Sequence, residues 1–156
     1  MHRLAEGRPL VLGGVRIEHD LGLEGFSDAD VLLHAIVDAL LGAAGLGDIG
    51  QHFPPGDERF RGVSSLTLLA AVRTMLEDAG WRVVNVDSTV VAERPRLAPH
   101  VPAMKRAVAE ALGISDTQVG VKASTNEGMG FVGRREGIAA LAVALVARRE
   151  EKDLEE

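Results

Sequence analysis

Between Phe26 and Phe53 the chain reads FSDADVLLHAIVDALLGAAGLGDIGQHF, and this stretch constrains the fold more than any other. Leu32, Leu33, Ile36, Val37, Leu40 and Ala44 recur at helical spacing. They predict a helix with a broad apolar face that another element has to cover. Ser27, with Asp30 three residues on, predicts a capping box and places a carboxylate at the positive end of the helix dipole. The glycines of GLGDIG end the helix. One stripe interrupts the apolar pattern: Asp30, His34 and Asp38 recur at spacing four, so they share a face. Carboxylates beside an imidazole can hold its tautomer and raise its basicity, as a metal-ligating histidine requires. The same spacing also describes a solvated polar face, and the residues alone leave both readings open. Asp48, in the glycine-rich loop that follows, adds weight to the first.

Around this helix, PLVLGGVRIEH (9–19) predicts a hairpin turning at Gly13-Gly14, and 18–25 a loop feeding the helix. QHFPPGDERFRG is a turn-rich surface loop. Ser64 to Ala79 predicts a second helix, stopped by Gly80, with Leu66, Leu69, Val72, Met75 and Leu76 on its apolar face. Trp81 to Ala92 is the clearest strand, with Val84, Val86 and Val90 on one side and Asn85, Asp87 and Thr89 on the other. A third helix runs from Pro99 to Gly113, and Gln118 to Ser124 reads as a strand. Gly137 to Ala147 fits a helix by its alanines and a buried strand by its β-branched residues. Residues 1–149 therefore predict one domain, an α/β (α+β) sandwich in which a small mixed sheet packs on helices, with a charged tail over 150–156.

Composition narrows the function. With 46% hydrophobic residues in 156, the chain can bury a core for one domain. A net charge of −6 argues against a nucleic-acid partner, and acidic groups can instead collect divalent metal. No cysteine is present, so thiolate metal sites and disulfides are excluded. No apolar run approaches the roughly 20 residues that span a bilayer. Arg3, Glu6 and Arg8 leave no signal-peptide-like stretch, so the expected compartment is the cytoplasm and no membrane partner is expected.

GLGDIG matches G-x-G-x-x-G, but the dinucleotide fingerprint needs a strand before it and a helix after it. Here a helix precedes and a proline-rich loop follows, so the match is rejected. KASTNEGMGF (122–131) sets Lys122, Ser124, Thr125, Asn126 and Glu127 just after a strand. Hydroxyls and amides suit phosphate oxygens, and a carboxylate suits a hard cation such as Mg²⁺; an ordinary polar turn has the same composition. Arg134 and Arg135 can grip phosphate or simply face solvent. Of five histidines, His2 and His34 are the candidate ligands, while His19, His52 and His100 are expected to be solvated.

SDADVLLHAIVDALLGAAGLGDIGQHFP, AERPRLAPHVPAM and VKASTNEGMGFVGRREGIA together resemble the 2-C-methyl-D-erythritol 2,4-cyclodiphosphate synthases of the non-mevalonate isoprenoid pathway, in order and through nearly the whole chain. The resemblance implies a homotrimer with active sites between subunits. It implies cyclisation of 4-diphosphocytidyl-2-C-methyl-D-erythritol 2-phosphate with release of CMP. It places His2 and His34 at a zinc (or Mn or Co) site and Glu127 at a second ion, Mg²⁺ or Mn²⁺. Thr125 falls where the reacting phosphate is polarised. Asp48, Ile49 and Gly50 fall at the ribose, with Phe53 and Asp57 in the adjoining substrate loop. Ala92, Pro95, Arg96, Leu97 and Ala98 would form the cytosine pocket. Ser27 would meet the erythritol 2-phosphate, and Ser124, Asn126, Phe131 and Arg134 would line the rest.

Three departures accompany the resemblance. The aspartate of the family's Asp-x-His would lie one residue before Met1, which implies a sheet without its first strand. Phe26 stands where the family carries a histidine that helps place phosphate, and Pro55 replaces an acidic residue. The alternative expectation is thus a trimeric cytidine-nucleotide and metal-binding member with impaired catalysis. A phosphohydrolase on the same scaffold would need a general base placed for water, and the sequence offers no clear candidate.

Overall fold

The computed structural model describes residues 1–149; the charged tail expected over 150–156 lies outside the described residues. His2–Glu6 forms β1, so the opening residues are themselves a strand. The hairpin follows as β2 (Leu10–Leu12) and β3 (Val15–Ile17). Its two-residue turn has Gly13 and Gly14 both at positive φ, 59° and 75°, as a tight turn matched to strand twist requires. The segment expected as a plain loop over 18–25 contains a further strand, β4 (Leu21–Leu23), which pairs antiparallel with β1.

The central helix, α1, spans Val31–Ala43. Its N-cap is Asp30, whose side chain accepts from Leu33 N, not Ser27. The reason is local: the Ser27 hydroxyl accepts from Ala29 N and Asp28 accepts from Asp30 N, so a turn with Ala29 at positive φ intervenes before the helix. After α1 come a four-residue helix, α2 (Ile49–His52), capped by Asp48, and a 3₁₀ turn at Glu58–Phe60. The glycine-rich loop does lead into a helix, but a helix this short, with another helix before it, still fails the dinucleotide pattern. α3 (Ser65–Asp78) is capped by Ser64.

β5 (Trp81–Val91), α4 (Val101–Leu112) and β6 (Val119–Ser124) form a parallel β-α-β unit. After the short α5 (Gly130–Gly133), β7 (Gly137–Arg148) pairs antiparallel with β5 over most of its length. The sheet order is β4-β1-β7-β5-β6. A bulge between Val83 and Asn85 resets the alternation of β5, so Val83, not Val84, is buried with Val86 and Val90.

The 137–148 ambiguity resolves as strand. Ala140, Ala142, Ala144 and Val146 pack against the core, where α1 lies close over β7. Pairing with β5 overrides the alanines' helix preference. Leu32, Leu33, Ile36, Val37, Leu40 and Leu41 of α1 meet Leu69, Val72 and Leu76 of α3 and Met104, Val108 and Leu112 of α4 in one core. The opposite face of β7 presents Leu141, Val143 and Leu145, 63%, 68% and 56% exposed. No helix among the described residues is long and apolar enough to cross a membrane.

Candidate active site

At the N-terminal end of α1, one turn past the cap, His34 meets β1. Nε2 of His2 lies 2.9 Å from Nδ1 of His34, and the rings meet edge to face. On its other side Nε2 of His34 contacts Oγ of Ser65 at 3.0 Å and Oγ of Ser27 at 3.2 Å. Ser65 and Asp28 are joined twice: Ser65 Oγ donates to Asp28 Oδ1 at 2.5 Å and Ser65 N to Oδ2 at 2.9 Å. Arg8 Nη2 donates to the Ser27 carbonyl.

Burial, with the neighbouring His34 and Arg8 adding to it, pulls the His2 pKa down to about 4 against the opposing pull of Asp28. Burial likewise lowers that of His34, opposed by Asp28 and Asp38. Both imidazoles are therefore neutral at physiological pH, the form that binds a metal ion.

The expected stripe of Asp30, His34 and Asp38 divides into three separate jobs. Asp30 is fully buried and accepts from Gly13 N (3.0 Å), Gly14 N (2.7 Å) and Leu33 N (3.0 Å), pinning the hairpin turn to the start of α1. Burial pushes its pKa up to about 7 despite those donors. Asp38 is exposed and accepts from Ile49 N at 2.8 Å, folding α2 back along α1. The carboxylate that reaches His34 is Asp28, through Ser65, and it was not in the stripe. Its signal in the sequence was a second acid inside SDAD, invisible to a spacing-four rule because it precedes the helix.

A second group gathers at the same edge of the sheet. His2 pairs with Ile138, and Val91 with both Ala139 and Ser124, so His2, Val91 and Ser124 are nearly level. Three strand spacings separate β1 from β6, about 14 Å. There Ala92, Pro95, Arg96, Leu97, Ala98, Ser124 and Thr125 line an open groove of about 450 Å³, together with Arg135. The 125–128 turn is held by Glu93, which accepts from Asn126 N at 2.9 Å and Gly128 N at 3.2 Å. Thr125 Oγ1 accepts from Glu127 N, and Glu127 is exposed at φ 53°. Arg135, expected either to grip phosphate or to face solvent, lines the groove, whereas Glu93 was missed by sequence reasoning. Glu93 lies within a quoted motif but binds main chain, which no residue pattern announces. Lys122 does not join this group, because it pairs with Asp87 across the sheet.

The remaining expected residues fall into two places. Asp48, Ile49, Gly50, Phe53 and Asp57 lie on the segment that returns along α1. Asp48 accepts from Gln51, Asp57 is paired with Arg59 at 2.6 Å, and Phe53 packs edge-on against Phe60. Phe26 lies under the Arg61 guanidinium, 4.7 Å from the ring centre, so the phenyl at this position brings a cation with it. Phe131 lines a small pocket with His2, Arg3 and Glu136, and Arg134 is paired with Glu136. His52 contacts the Leu46 carbonyl at 2.7 Å and so is more engaged than expected.

Two adjacent neutral imidazoles suit a zinc-like ion, whose catalytic sites draw three protein ligands. Among the described residues, no cluster of three or more His, Cys, Asp or Glu groups could hold a metal. His2 and His34 thus account for two donors, and Glu127 makes no contact with them within the chain.

A mixed sheet covered on one face by three helices, with polar loops and a histidine pair at one sheet edge, defines an α/β protein whose site is carried at strand ends. The chain belongs to the YgbB family, whose model matches residues 1–147. It is 62% identical over 146 residues to a 2-C-methyl-D-erythritol 2,4-cyclodiphosphate synthase of Syntrophomonas wolfei, covering 94% of this chain and 93% of that one. Identity to the synthase of Symbiobacterium thermophilum is 62% over 149 residues, covering 96% and 95%. Among solved structures, a 2C-methyl-D-erythritol-2,4-cyclodiphosphate synthase in a CDP-bound form matches with a TM-score of 0.85 at 36% identity, covering 94% of this chain and 95% of that one. The bifunctional IspDF of Campylobacter jejuni matches with a TM-score of 0.92 at 40% identity, covering 96% of this chain, which spans 40% of that longer protein.

Proposed function

We propose that the chain is a metal-dependent 2-C-methyl-D-erythritol 2,4-cyclodiphosphate synthase, a phosphorus–oxygen lyase acting in the cytoplasm as a homotrimer. An oxygen of the substrate's 2-phosphate attacks the β-phosphorus of its own cytidine diphosphate. The bond between that phosphorus and the bridging oxygen breaks, and CMP leaves with the oxygen. The observation that carries this reading is the full-length identity to named synthases, met by a chain that keeps the neutral histidine pair and the groove.

The groove's main chain is suited to a pyrimidine's hydrogen-bonding edge, and Ser124 and Thr125 at its mouth to phosphate. Thr125 has its hydroxyl proton to donate, since its oxygen accepts from Glu127 N. Holding both phosphates of one molecule converts the attack into an oriented intramolecular step. His2 and His34 would hold a zinc-like ion and Glu127 would hold Mg²⁺ or Mn²⁺. When bound, these ions offset phosphate charge and polarise the phosphoryl oxygens.

Trimerisation is supported by the row Leu141, Val143 and Leu145 in mid-sheet, an apolar strip that a neighbouring copy would cover.

³¹P NMR of the purified chain with the cytidyl substrate and Mg²⁺ or Mn²⁺ tests the activity. Appearance of CMP and a cyclic diphosphate is the expected result; intact substrate would leave only nucleotide binding, and a linear product would mean hydrolysis. Glu127→Gln is expected to raise the Mg²⁺ needed for half-maximal rate without removing zinc. Light scattering of Val143→Lys beside the unmodified chain tests the trimer.

A further inference from the structure

Ser65 and Asp28 have no part in the reading above, yet both are tied to the histidine pair. A serine hydroxyl has one proton and can accept elsewhere. Ser65 Oγ donates to Asp28 Oδ1 at 2.5 Å, so its one proton is committed to that oxygen. Toward His34 Nε2, 3.0 Å away, Ser65 can then only accept. We propose that Asp28 and Ser65 form a relay that fixes His34 as the Nε2–H tautomer and so turns the bare lone pair of Nδ1 toward His2.

The arrangement is a carboxylate–histidine couple lengthened by one hydroxyl, and such couples orient metal-bound imidazoles and raise their basicity. Burial supports it, because Ser65 is fully buried and solvent does not compete for its hydroxyl. Two consequences follow for neighbouring groups. First, with a lone pair on His34 Nδ1, the nitrogen of His2 facing it at 2.9 Å must carry its proton while no ion is present. An ion taken between them requires His2, not His34, to change tautomer. Second, Ser27 accepts from Ala29 N and faces the Nε2–H group at 3.2 Å, so its own proton stays available to an incoming anion. Asp28 and Ser65 also tie α3 to the turn before α1, a structural role that would not select a tautomer.

The test is ¹⁵N NMR of the histidine rings in metal-free protein, then with Zn²⁺ alone added. It uses no substrate, so its outcome is independent of whether the chain turns over. In the unmodified protein His34 is expected as Nε2–H before and after Zn²⁺, while His2 passes from Nε2–H to Nδ1–H. Ser65→Ala is expected to release the His34 tautomer and weaken Zn²⁺ about ten-fold, within the usual range for such supporting groups; Ser65→Thr restores both. An Nδ1–H tautomer of His34 in the metal-free protein overturns the proposal, as does a Ser65→Ala protein with unchanged tautomer and Zn²⁺ affinity within about two-fold. Should Ser65→Ala fail to fold, the tautomers of the unmodified protein decide alone.

Discussion

The two ends of the site are built on opposite principles. At the histidine end, three of the side chains stand on regular elements and are wholly or partly buried: His2 on β1, His34 on α1, Ser65 at the start of α3. At the groove end, Ser124, Thr125 and Glu127 are exposed, and the walls are largely main chain between β5 and α4. The first is shaped before any ligand arrives, because desolvated neutral imidazoles at fixed positions are what a metal ion takes. The second is open and walled largely by backbone groups, and its 125–128 turn is held by Glu93. The contrast teaches where damage should stay local and where it should spread.

The largest effect is expected from His34→Ala. It removes a proposed ligand nitrogen, and turnover should fall by more than about 100-fold, the upper end of losses caused by supporting groups alone. Elemental analysis should find zinc no longer co-purifying, while CDP affinity measured by calorimetry stays near its original value. A parallel loss of CDP binding would break the separation of the two ends.

Glu93→Ala should do the reverse. Freed from two charge-assisted N–H bonds, the 125–128 turn should weaken CDP binding about ten-fold and raise the Mg²⁺ requirement. Zinc content should be unchanged, and a fall in it would show that the ends communicate.

The smallest effect concerns the footing of the histidine end. The folded pKa of Asp30 is raised, so the stability it contributes is fully present below about pH 4 and lost as pH climbs through about 7. Asp30→Asn has no such titration. The difference in melting temperature, unmodified minus variant, should therefore shrink between pH 5 and 8, by the equivalent of on the order of 2 kcal/mol. A difference that does not vary with pH would mean that Asp30 stays charged throughout.

Much of this was legible in the sequence, for reasons that differ by element. The helix at 31–43 and the hairpin at Gly13-Gly14 were readable because their signals are local: helical period, and two residues that tolerate positive φ. The phase of β5 was not, since a bulge is set by the partner strand and flips the alternation partway along. β7 was undecidable for a related reason. Its alanines answer to α1, which lies nearly a hundred residues earlier in the chain. The histidine pair and the groove residues came from family resemblance, and the structure brings them to one sheet edge. Asp30 was assigned to the wrong partner because spacing four says which residues share a face, not which backbone donors a buried carboxylate will find.

Glu93 sits in the wall of the groove while holding the main chain on either side of Glu127. Through it, the shape proposed to accept a nucleotide and the shape proposed to present a carboxylate to a cation are one shape. If both ligands bind as proposed, linkage makes the two occupancies reciprocal: whatever factor a cytidine nucleotide gains from Mg²⁺, Mg²⁺ gains from the nucleotide, and the order of arrival does not change the final complex.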